Sequence, residues 1–182
     1  MRRWCHDAGL DDAMIVLETE RLVLRHLEPA DASFILELVN DPDWLTYIGD
    51  RGIHTLDEAR NYIQSGPMAM YEQRGHGLYL VERRSDGVPM GMCGLLKRDS
   101  LDDVDLGFAL LPAYRGAGYI TEAAAAALAH GRQTLGLRRV VAIATPENAA
   151  SARVLEKVGL RFERTIDAPE GGRLLNLYGI EE

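Results

Sequence analysis

The chain has 182 residues, of which 47% are hydrophobic and 26% are charged, proportions typical of one globular domain. Its 20 basic and 28 acidic residues give a formal net charge of −8, which argues against a nucleic-acid partner and suits a cationic one such as an amine. No apolar run approaches the roughly 18 residues of a membrane helix, so we expect no membrane partner.

The N-terminal segment carries charge but no apolar core, unlike a signal peptide. Residues 1–14 are expected to form a poorly ordered extension, and residues 15–182 a single domain. The two cysteines, Cys5 and Cys93, are predicted to lie in that extension and in a buried strand, which favours free thiols in a reducing cytoplasm. The five histidines have no metal-ligand spacing among themselves or with the cysteines, and we expect no metal site.

The first half of the chain alternates apolar stretches with turn-forming residues. Its predicted elements, in chain order, are a strand at 22–27, a helix from 29 to 39, an irregular segment at 44–53, a helix that begins after Thr55, and a hairpin of strands 78–81 and 90–96. Thr55 and Glu58 form a capping box, in which each side chain binds the backbone N–H of the other residue. Gly66-Pro67 is predicted to interrupt this second helix, which resumes at 68–73.

The second half of the chain alternates strands and helices. The predicted strands span 104–110, 140–144, 160–166 and 174–180, and the predicted helices span 119–135 and 148–158. With the three strands of the first half, this makes seven. Helices between strands, together with hairpins, predict an α/β (mixed α+β) fold in which a mixed sheet carries helices on both faces.

A loop with two glycines joins the 104–110 strand to an alanine-rich helix. The first N–H groups of a helix have no intrahelical partner and lie at the positive end of its dipole, so such a turn binds anions. Gly116 and Gly118 let the backbone approach a phosphate closely, and Arg115 adds a cation. The loop lacks the Gly-Lys-Ser/Thr ending of a nucleotide P-loop, and Thr121 stands where the dinucleotide fingerprint needs its third glycine. We therefore expect the loop to bind a phosphate-bearing ligand by a motif other than the nucleotide P-loop or the dinucleotide fingerprint.

A second informative segment, 145–162, predicts a strand end, a helix and a further strand. An apolar stripe along 154–158 favours an amphipathic helix, and Gly159 suits a left-handed C-terminal cap. Taken alone, Asn148 would be a helix N-cap and Ser151 a residue of the first helical turn. Because the segment follows a phosphate loop, a joint role in ligand binding is favoured for both.

These two segments resemble the GNAT acetyltransferase superfamily. Arg115–Ile120 resembles its acetyl-CoA pyrophosphate loop, Arg/Gln-x-x-Gly-x-Gly/Ala, except that Ile120 stands where the pattern has a small residue. Residues 145–162 resemble the helix unit that follows, and Glu18–Arg25 and 105–123 resemble the branch containing ribosomal-protein N-terminal acetyltransferases. The resemblance covers nearly the whole chain after residue 15. It implies a GNAT-like central mixed, mostly antiparallel sheet of about seven strands, splayed between the fourth and the fifth.

The resemblance also implies that acetyl-CoA is the cosubstrate and that its pantetheine arm lies in the splay. One N–H of the strand before the loop would polarise the thioester carbonyl. The residues implied to bind the cofactor are Phe108, Ala109 and Leu110 along the arm, Arg115, Gly116, Ala117, Gly118, Tyr119 and Ile120 around the pyrophosphate, and Asn148 and Ser151 near the thioester.

Acetyl transfer needs a base, because only the neutral amine attacks the thioester. Asp105 stands where this branch usually has Glu, and its shorter side chain favours proton removal through a water; an exposed strand acid is the competing interpretation. Glu170 is a second candidate base, or simply a turn residue. Many similar proteins stabilise the departing thiolate with a Tyr, whose position here is Leu155, so Ser151 or solvent is expected to take that role.

The acceptor pocket is expected between the first two helices and the last hairpin, where Trp44, Tyr47 and Tyr71 are candidate lining residues, with core packing favoured for at least two of them. The resemblance predicts acetyl transfer to a primary amine, most specifically a protein N-terminal α-amine, by direct attack in a ternary complex. The alternatives are a small-molecule acetyltransferase for a polyamine, an amino acid or an aminoglycoside-type amine, and a non-catalytic acetyl-CoA-binding module. Similar proteins are commonly dimers, so a homodimer is compatible with the resemblance.

Overall fold

The described residues form one sheet of eight strands. The structure, a computed structural model, describes residues 14–168 and 171–181. The strands are β1 (Ile15–Glu18), β2 (Leu22–Arg25), β3 (Leu78–Arg83), β4 (Val88–Leu96), β5 (Val104–Leu110), β6 (Arg139–Ala144), β7 (Arg161–Asp167) and β8 (Leu174–Glu181). Their order in the sheet is β1-β2-β3-β4-β5-β6-β8-β7, and each neighbouring pair is antiparallel except β5 and β6. The predicted mixed, mostly antiparallel sheet is confirmed.

β1 is the strand that the sequence did not predict, and it raises the number from about seven to eight. It is a short edge strand without a fully buried residue. What fixes it is pairing with β2, in which Leu17 lies opposite Leu24. Such pairing is a tertiary contact that a four-residue pattern does not reveal. The carbonyl of Met14 accepts a 2.9 Å hydrogen bond from His26 N–H, while residues 1–13 of the predicted extension lie outside the described residues.

The α-helices of the described residues are α1 (Ala32–Val39), α2 (Pro42–Tyr47), α3 (Leu56–Ile63), α4 (Ala69–Arg74), α5 (Tyr119–Gln133) and α6 (Ala149–Lys157). α2 occupies the start of the segment predicted to be irregular. Asp41 caps it by accepting hydrogen bonds from the N–H groups of Asp43 at 3.1 Å and Trp44 at 3.4 Å. Pro42 takes the first helical position, where no N–H donor is needed.

The chain does not leave the helix at Gly66-Pro67, where the sequence predicted an interruption. A π-helical turn, Gln64–Met68, joins α3 to α4. Proline lacks an N–H, and its ring crowds the preceding turn of an α-helix, so a locally wider turn accommodates it.

Two apolar clusters cover the two faces of the sheet. Leu80 and Met92 belong to the cluster with α1, α2 and α3, whereas their neighbours Val81 and Cys93 belong to the cluster with α5 and α6. Neighbouring strand residues point to opposite faces, so the helices lie on both sides of the sheet, as predicted.

The sheet opens between β5 and β6. These parallel strands pair at Val104 with Val140 and at Asp105 with Val141, and then they separate. β5 stays paired with β4 from Asp105 to Leu110, and β6 stays paired with β8 along its whole length. The fourth and fifth of the seven expected strands are β5 and β6, so the predicted splay between them is confirmed.

Candidate active site

A cavity of about 650 Å³ lies where β5 and β6 separate. Its walls come from both strands, the loop after β5, α2 and the start of α6. The predicted site residues that line it are Asp105, Phe108, Ala109, Leu110, Arg115, Gly116, Gly118, Tyr119, Ile120, Asn148 and Ser151. Ala117 lies in the same loop but is not part of the lining. The fold thus brings the two informative segments of the sequence to one cavity.

The loop after β5 has the backbone of an anion-binding site. Gly116 and Gly118 both have a φ of +80°, a left-handed conformation that suits glycine. Gly118 is the N-cap residue of α5 and has no side chain that could cap the helix. The N–H groups of the first helical turn therefore have no partner within α5, and they lie at the cavity.

Arg21 adds a cation to this loop, and the sequence analysis did not identify it. Its Nη1 donates a 2.9 Å hydrogen bond to the carbonyl of Ala117, and its guanidinium carbon lies 4.5 Å from the ring centroid of Tyr119. Its Nε donates to Glu122 at 2.6 Å, so this carboxylate offsets part of the Arg21 charge. Arg21 lies in the turn between β1 and β2, far away in sequence, and no local motif could reveal its position.

Arg115 lines the cavity, but its charge is shared. Its Nε donates to the carbonyl of Leu110 at 2.9 Å, Nη2 donates to Asp41 at 2.9 Å, and Nη1 donates to Asp43. The side chain therefore ties the end of β5 to the start of α2. Two carboxylates offset its charge, so the backbone N–H groups of the loop are left as the main groups for an anion.

Asp105 is a buried carboxylate at the closed end of the splay. Only 1% of the residue is exposed, and Oδ2 accepts a 2.5 Å hydrogen bond from Arg98 Nε. Oδ1 has no hydrogen-bond partner among the described residues. Burial raises the pKa of Asp105 to about 6, against the opposing effect of the Arg98 charge. The interpretation of Asp105 as an exposed acid is therefore wrong.

This raised pKa predicts a pH-dependent cost of Asp105 to stability. The folded protein keeps the Asp105 proton up to about pH 6, whereas the unfolded chain loses it near the ordinary pKa of 3.8. The stability that the protonated carboxyl contributes at low pH is therefore lost as pH rises through about 6. Asp105→Asn, which mimics the protonated carboxyl, should gain roughly 2 kcal/mol relative to wild type between about pH 4 and about pH 7. Urea unfolding of both proteins at the two pH values measures this gain. A difference independent of pH would contradict the raised pKa.

The start of α6 brings two more predicted residues to the cavity. Asn148 is the N-cap, because its Oδ1 accepts a 3.0 Å hydrogen bond from Ser151 N–H, so the cap interpretation is confirmed. Ser151 is half-buried, whereas Leu155 is 1% exposed and packs in the core. The other candidate base, Glu170, lies outside the described residues.

Three polar side-chain atoms of the cavity residues lack partners. Trp44 Nε1, Thr145 Oγ1 and Asp105 Oδ1 are buried without a hydrogen bond among the described residues, and all three residues line the cavity. Leaving such an atom unpaired costs about 1–3 kcal/mol. Trp44 can only donate and an ionised Asp105 can only accept, so a ligand that satisfies both must carry acceptor and donor groups. Nothing in the sequence marks Trp44 or Thr145 as unpaired, because that depends on tertiary packing.

Two of the three aromatic residues predicted for the acceptor pocket line this cavity. Trp44 and Tyr47 line the cavity, and Trp44 is also part of the core. Tyr71 lies elsewhere: it stacks on His26 with the ring centroids 3.9 Å apart and accepts a hydrogen bond from Leu27 N–H. Core packing was expected for at least two of the three aromatic residues, and it accounts for Trp44 and Tyr71.

Residues 14–168 and 171–181 contain neither a grouped metal-ligand set nor a helix that could span a membrane. In these ranges no three His, Cys, Asp or Glu side chains are grouped so that they could hold a metal ion. Within the same ranges, every helix is too short or too polar to cross a membrane.

Comparisons with known proteins agree on one family. The family model of the acetyltransferase (GNAT) domain matches residues 21–161. YkkB of Bacillus subtilis is 29% identical over 160 residues, which cover 85% of this chain and 90% of YkkB. The N-acetyltransferase YnaD of the same organism is 29% identical over 147 residues, covering 81% and 83% of the two chains.

Solved structures share the fold. A GNAT-family acetyltransferase from Bacillus anthracis superposes with a TM-score of 0.75 at 28% identity, covering 90% of this chain and 96% of the other. RimL, a ribosomal L7/L12 α-N-protein acetyltransferase solved in complex with coenzyme A, superposes with a TM-score of 0.79 at 19% identity, covering 92% and 97%. At that identity, the likeness to RimL concerns the fold alone.

Proposed function

The chain belongs to the GNAT acetyltransferase family, and from that premise we propose that it transfers the acetyl group of acetyl-CoA to the α-amine of a protein N-terminus. Acetyl transfer from acetyl-CoA follows from the family; the acceptor and the residue roles are the proposal. The observation that carries the chemistry is Asp105: this buried carboxylate has one oxygen without a partner among the described residues, and it lines the same cavity as the loop after β5.

The coenzyme is proposed to run from the loop into the splay. Its pyrophosphate binds the N–H groups of Gly116–Ile120, where charge-assisted hydrogen bonds contribute about 1.5–3 kcal/mol each. The pantetheine arm lies along β5, whose edge beyond Asp105 has no strand partner on the β6 side. One N–H of Phe108–Leu110 polarises the thioester carbonyl, an effect worth about 2.7–4 kcal/mol. Asn148 contacts the arm near the thioester from α6.

Asp105 is the proposed general base. A pKa of about 6 leaves it ionised at neutral pH, yet makes it a stronger base than an ordinary carboxylate. The acceptor reacts as its neutral amine, and Asp105 Oδ1, which has no hydrogen-bond partner among the described residues, takes through a water the proton that the amine nitrogen loses in forming the amide. The amine attacks the carbonyl carbon, the C–S bond breaks, and coenzyme A leaves as a thiolate near Ser151.

The cavity favours an acceptor that carries an oxygen beside its amine. Trp44 contributes an indole N–H that lacks an acceptor among the described residues. A peptide N-terminus presents a carbonyl oxygen next to the α-amine, whereas a polyamine offers nitrogen donors alone when protonated. RimL, which shares the fold, is by its name an α-N-protein acetyltransferase. The indole N–H supports a peptide acceptor over a polyamine, and the name of RimL supports a peptide over an amino acid or an aminoglycoside.

The test is thiol release from acetyl-CoA in the presence of a panel of amines. The panel holds a lysine-free peptide with a free Ala or Ser N-terminus, the same peptide with a blocked N-terminus, spermidine, free amino acids and kanamycin. We expect release with the free peptide and none with the blocked one. Turnover of spermidine, an amino acid or kanamycin with the peptide inert would replace the proposed acceptor by a small molecule. Tight acetyl-CoA binding without any turnover would favour a non-catalytic module.

A further inference from the structure

Thr145 is a buried hydroxyl residue at the carboxyl end of β6. It is 7% exposed, it lines the cavity, and its Oγ1 has no hydrogen-bond partner among the described residues. Its main-chain carbonyl accepts a 3.0 Å hydrogen bond from Asn148 N–H, which holds the turn into α6. A backbone hydrogen bond therefore ties Thr145 to the start of α6, while its hydroxyl makes no hydrogen bond within residues 14–168 and 171–181.

Thr145 directly follows the last residue of β6 and lines the cavity that opens between β5 and β6. Asp105 and Val141 are the last paired residues of these strands; Ala109 comes four residues after Asp105, and Thr145 comes four residues after Val141. Alternate residues of a strand share a face, so Thr145 lies on the same side of the sheet as Asp105. Ala109 packs toward the cluster of α1–α3, which identifies this side as the one that α2 covers.

We propose that the Thr145 hydroxyl donates a hydrogen bond to the sulfur of coenzyme A and stabilises the departing thiolate. The inference rests on the proposed function, which places the thioester carbonyl against an N–H of β5. With the carbonyl oxygen held on the β5 side, the sulfur is left to groups on β6 and α6. Thr145 approaches it from β6, and Ser151 approaches it from α6.

The step balances without a further reactant. The amine nitrogen forms a bond to the carbonyl carbon, the C–S bond breaks, and its electron pair stays on sulfur. The proton of the amine passes through water to Asp105, and the thiolate takes a proton from solvent after it leaves. The hydroxyl of Thr145 remains protonated throughout, because donating a hydrogen bond to an anion requires no proton transfer.

The bound coenzyme A thiol reports this contact directly, without any amine acceptor. Its ionisation is followed by the ultraviolet absorbance of the thiolate in a pH titration of the complex, with the desulfo-coenzyme A complex as the blank. Thr145→Val keeps the shape and removes the donor, Thr145→Ser keeps the donor, and Ser151→Ala removes the second hydroxyl. Thr165→Val is the control, because Thr165 is exposed on β7, outside the cavity lining.

We expect Thr145→Val to raise the proton affinity of the bound thiolate about tenfold, since a hydrogen bond to a charged group is lost. Thr145→Ser and Thr165→Val should titrate like wild type. The charged side chains that line the cavity are unchanged in all variants, namely Asp41, Asp43, Arg51, Arg98, Asp105, Arg115 and Glu147.

A Thr145→Val titration that coincides with wild type would overturn the proposal, whether or not Ser151→Ala shifts. An equal shift in Thr165→Val would also overturn it, because the effect would not be local. If neither acetyl-CoA nor coenzyme A binds the wild-type protein in calorimetry, the proposed function itself fails. If coenzyme A binds but its thiol titrates alike in Thr145→Val and wild type, only the role of Thr145 fails.

Discussion

Gly118→Val is expected to abolish acetyl-CoA binding, with a loss of affinity of at least about a hundredfold in calorimetry. Gly118 has a φ of +80°, and a Cβ built on it lies 3.4 Å from Arg21 Nη2. A valine would therefore strain the turn and place methyl groups where the pyrophosphate is proposed to lie. Both effects displace the N–H groups of the first turn of α5.

Gly136→Val is the matched control for this substitution. Gly136 also has a positive φ, +67°, but it lies in the turn between α5 and β6 and not in the cavity lining. The two variants should lose similar folding stability by thermal unfolding, whereas only Gly118→Val should lose the coenzyme. Unchanged affinity in a folded Gly118→Val protein would refute the loop as the pyrophosphate site.

Asp105→Asn is expected to lower turnover by about 100- to 10,000-fold, the range typical of a general base. The affinity for acetyl-CoA should stay near that of wild type, because Asp105 is proposed to act on the amine. Asp102→Asn makes the same chemical change at an exposed acid three residues away and should keep full turnover.

The pH profile separates a base from a structural residue. In wild type, kcat/KM for the free peptide should rise twice with pH, near 6 as Asp105 ionises and near about 8 as the α-amine of the peptide loses its proton. The Asp105→Asn protein should keep only the second rise. Two rises in that variant would remove Asp105 as the base, even if its rate were low.

The fold was predictable wherever a local pattern matched its tertiary use. The hairpin around Ser85–Gly87 and the strands beside the loop carry their own apolar runs and turn residues, and all of them form. β1 and α2 were missed for one reason: each is short and is fixed by contacts outside itself. β1 needs the edge of β2, and α2 needs Asp41 as a cap and Arg115 as a partner for Asp43.

Site residues that belong to a local motif were predictable, whereas those that only the tertiary fold brings to the cavity were not. The loop glycines are indicated by their own pattern, Asp105 and Asn148 are indicated by the family resemblance, and the structure places all of them at one cavity. Arg21 and Thr145 are not marked, because their positions depend on how the β1–β2 turn meets α5 and how β6 diverges from β5. Burial also decides the character of Asp105, since a sequence shows an acid in a strand but not its lack of solvent.

Arg115 connects two walls of the cavity, the end of β5 and the start of α2, through a single guanidinium. It holds Asp41 and Asp43 at the start of α2, and its backbone begins the loop proposed for the pyrophosphate. A bound polyanion attracts the same guanidinium, so occupancy of the loop and the seating of α2 are energetically linked, and such linkage acts equally in both directions. Because α2 also carries Trp44, we expect the affinity for one substrate to depend on the concentration of the other, as crossed saturation curves would reveal.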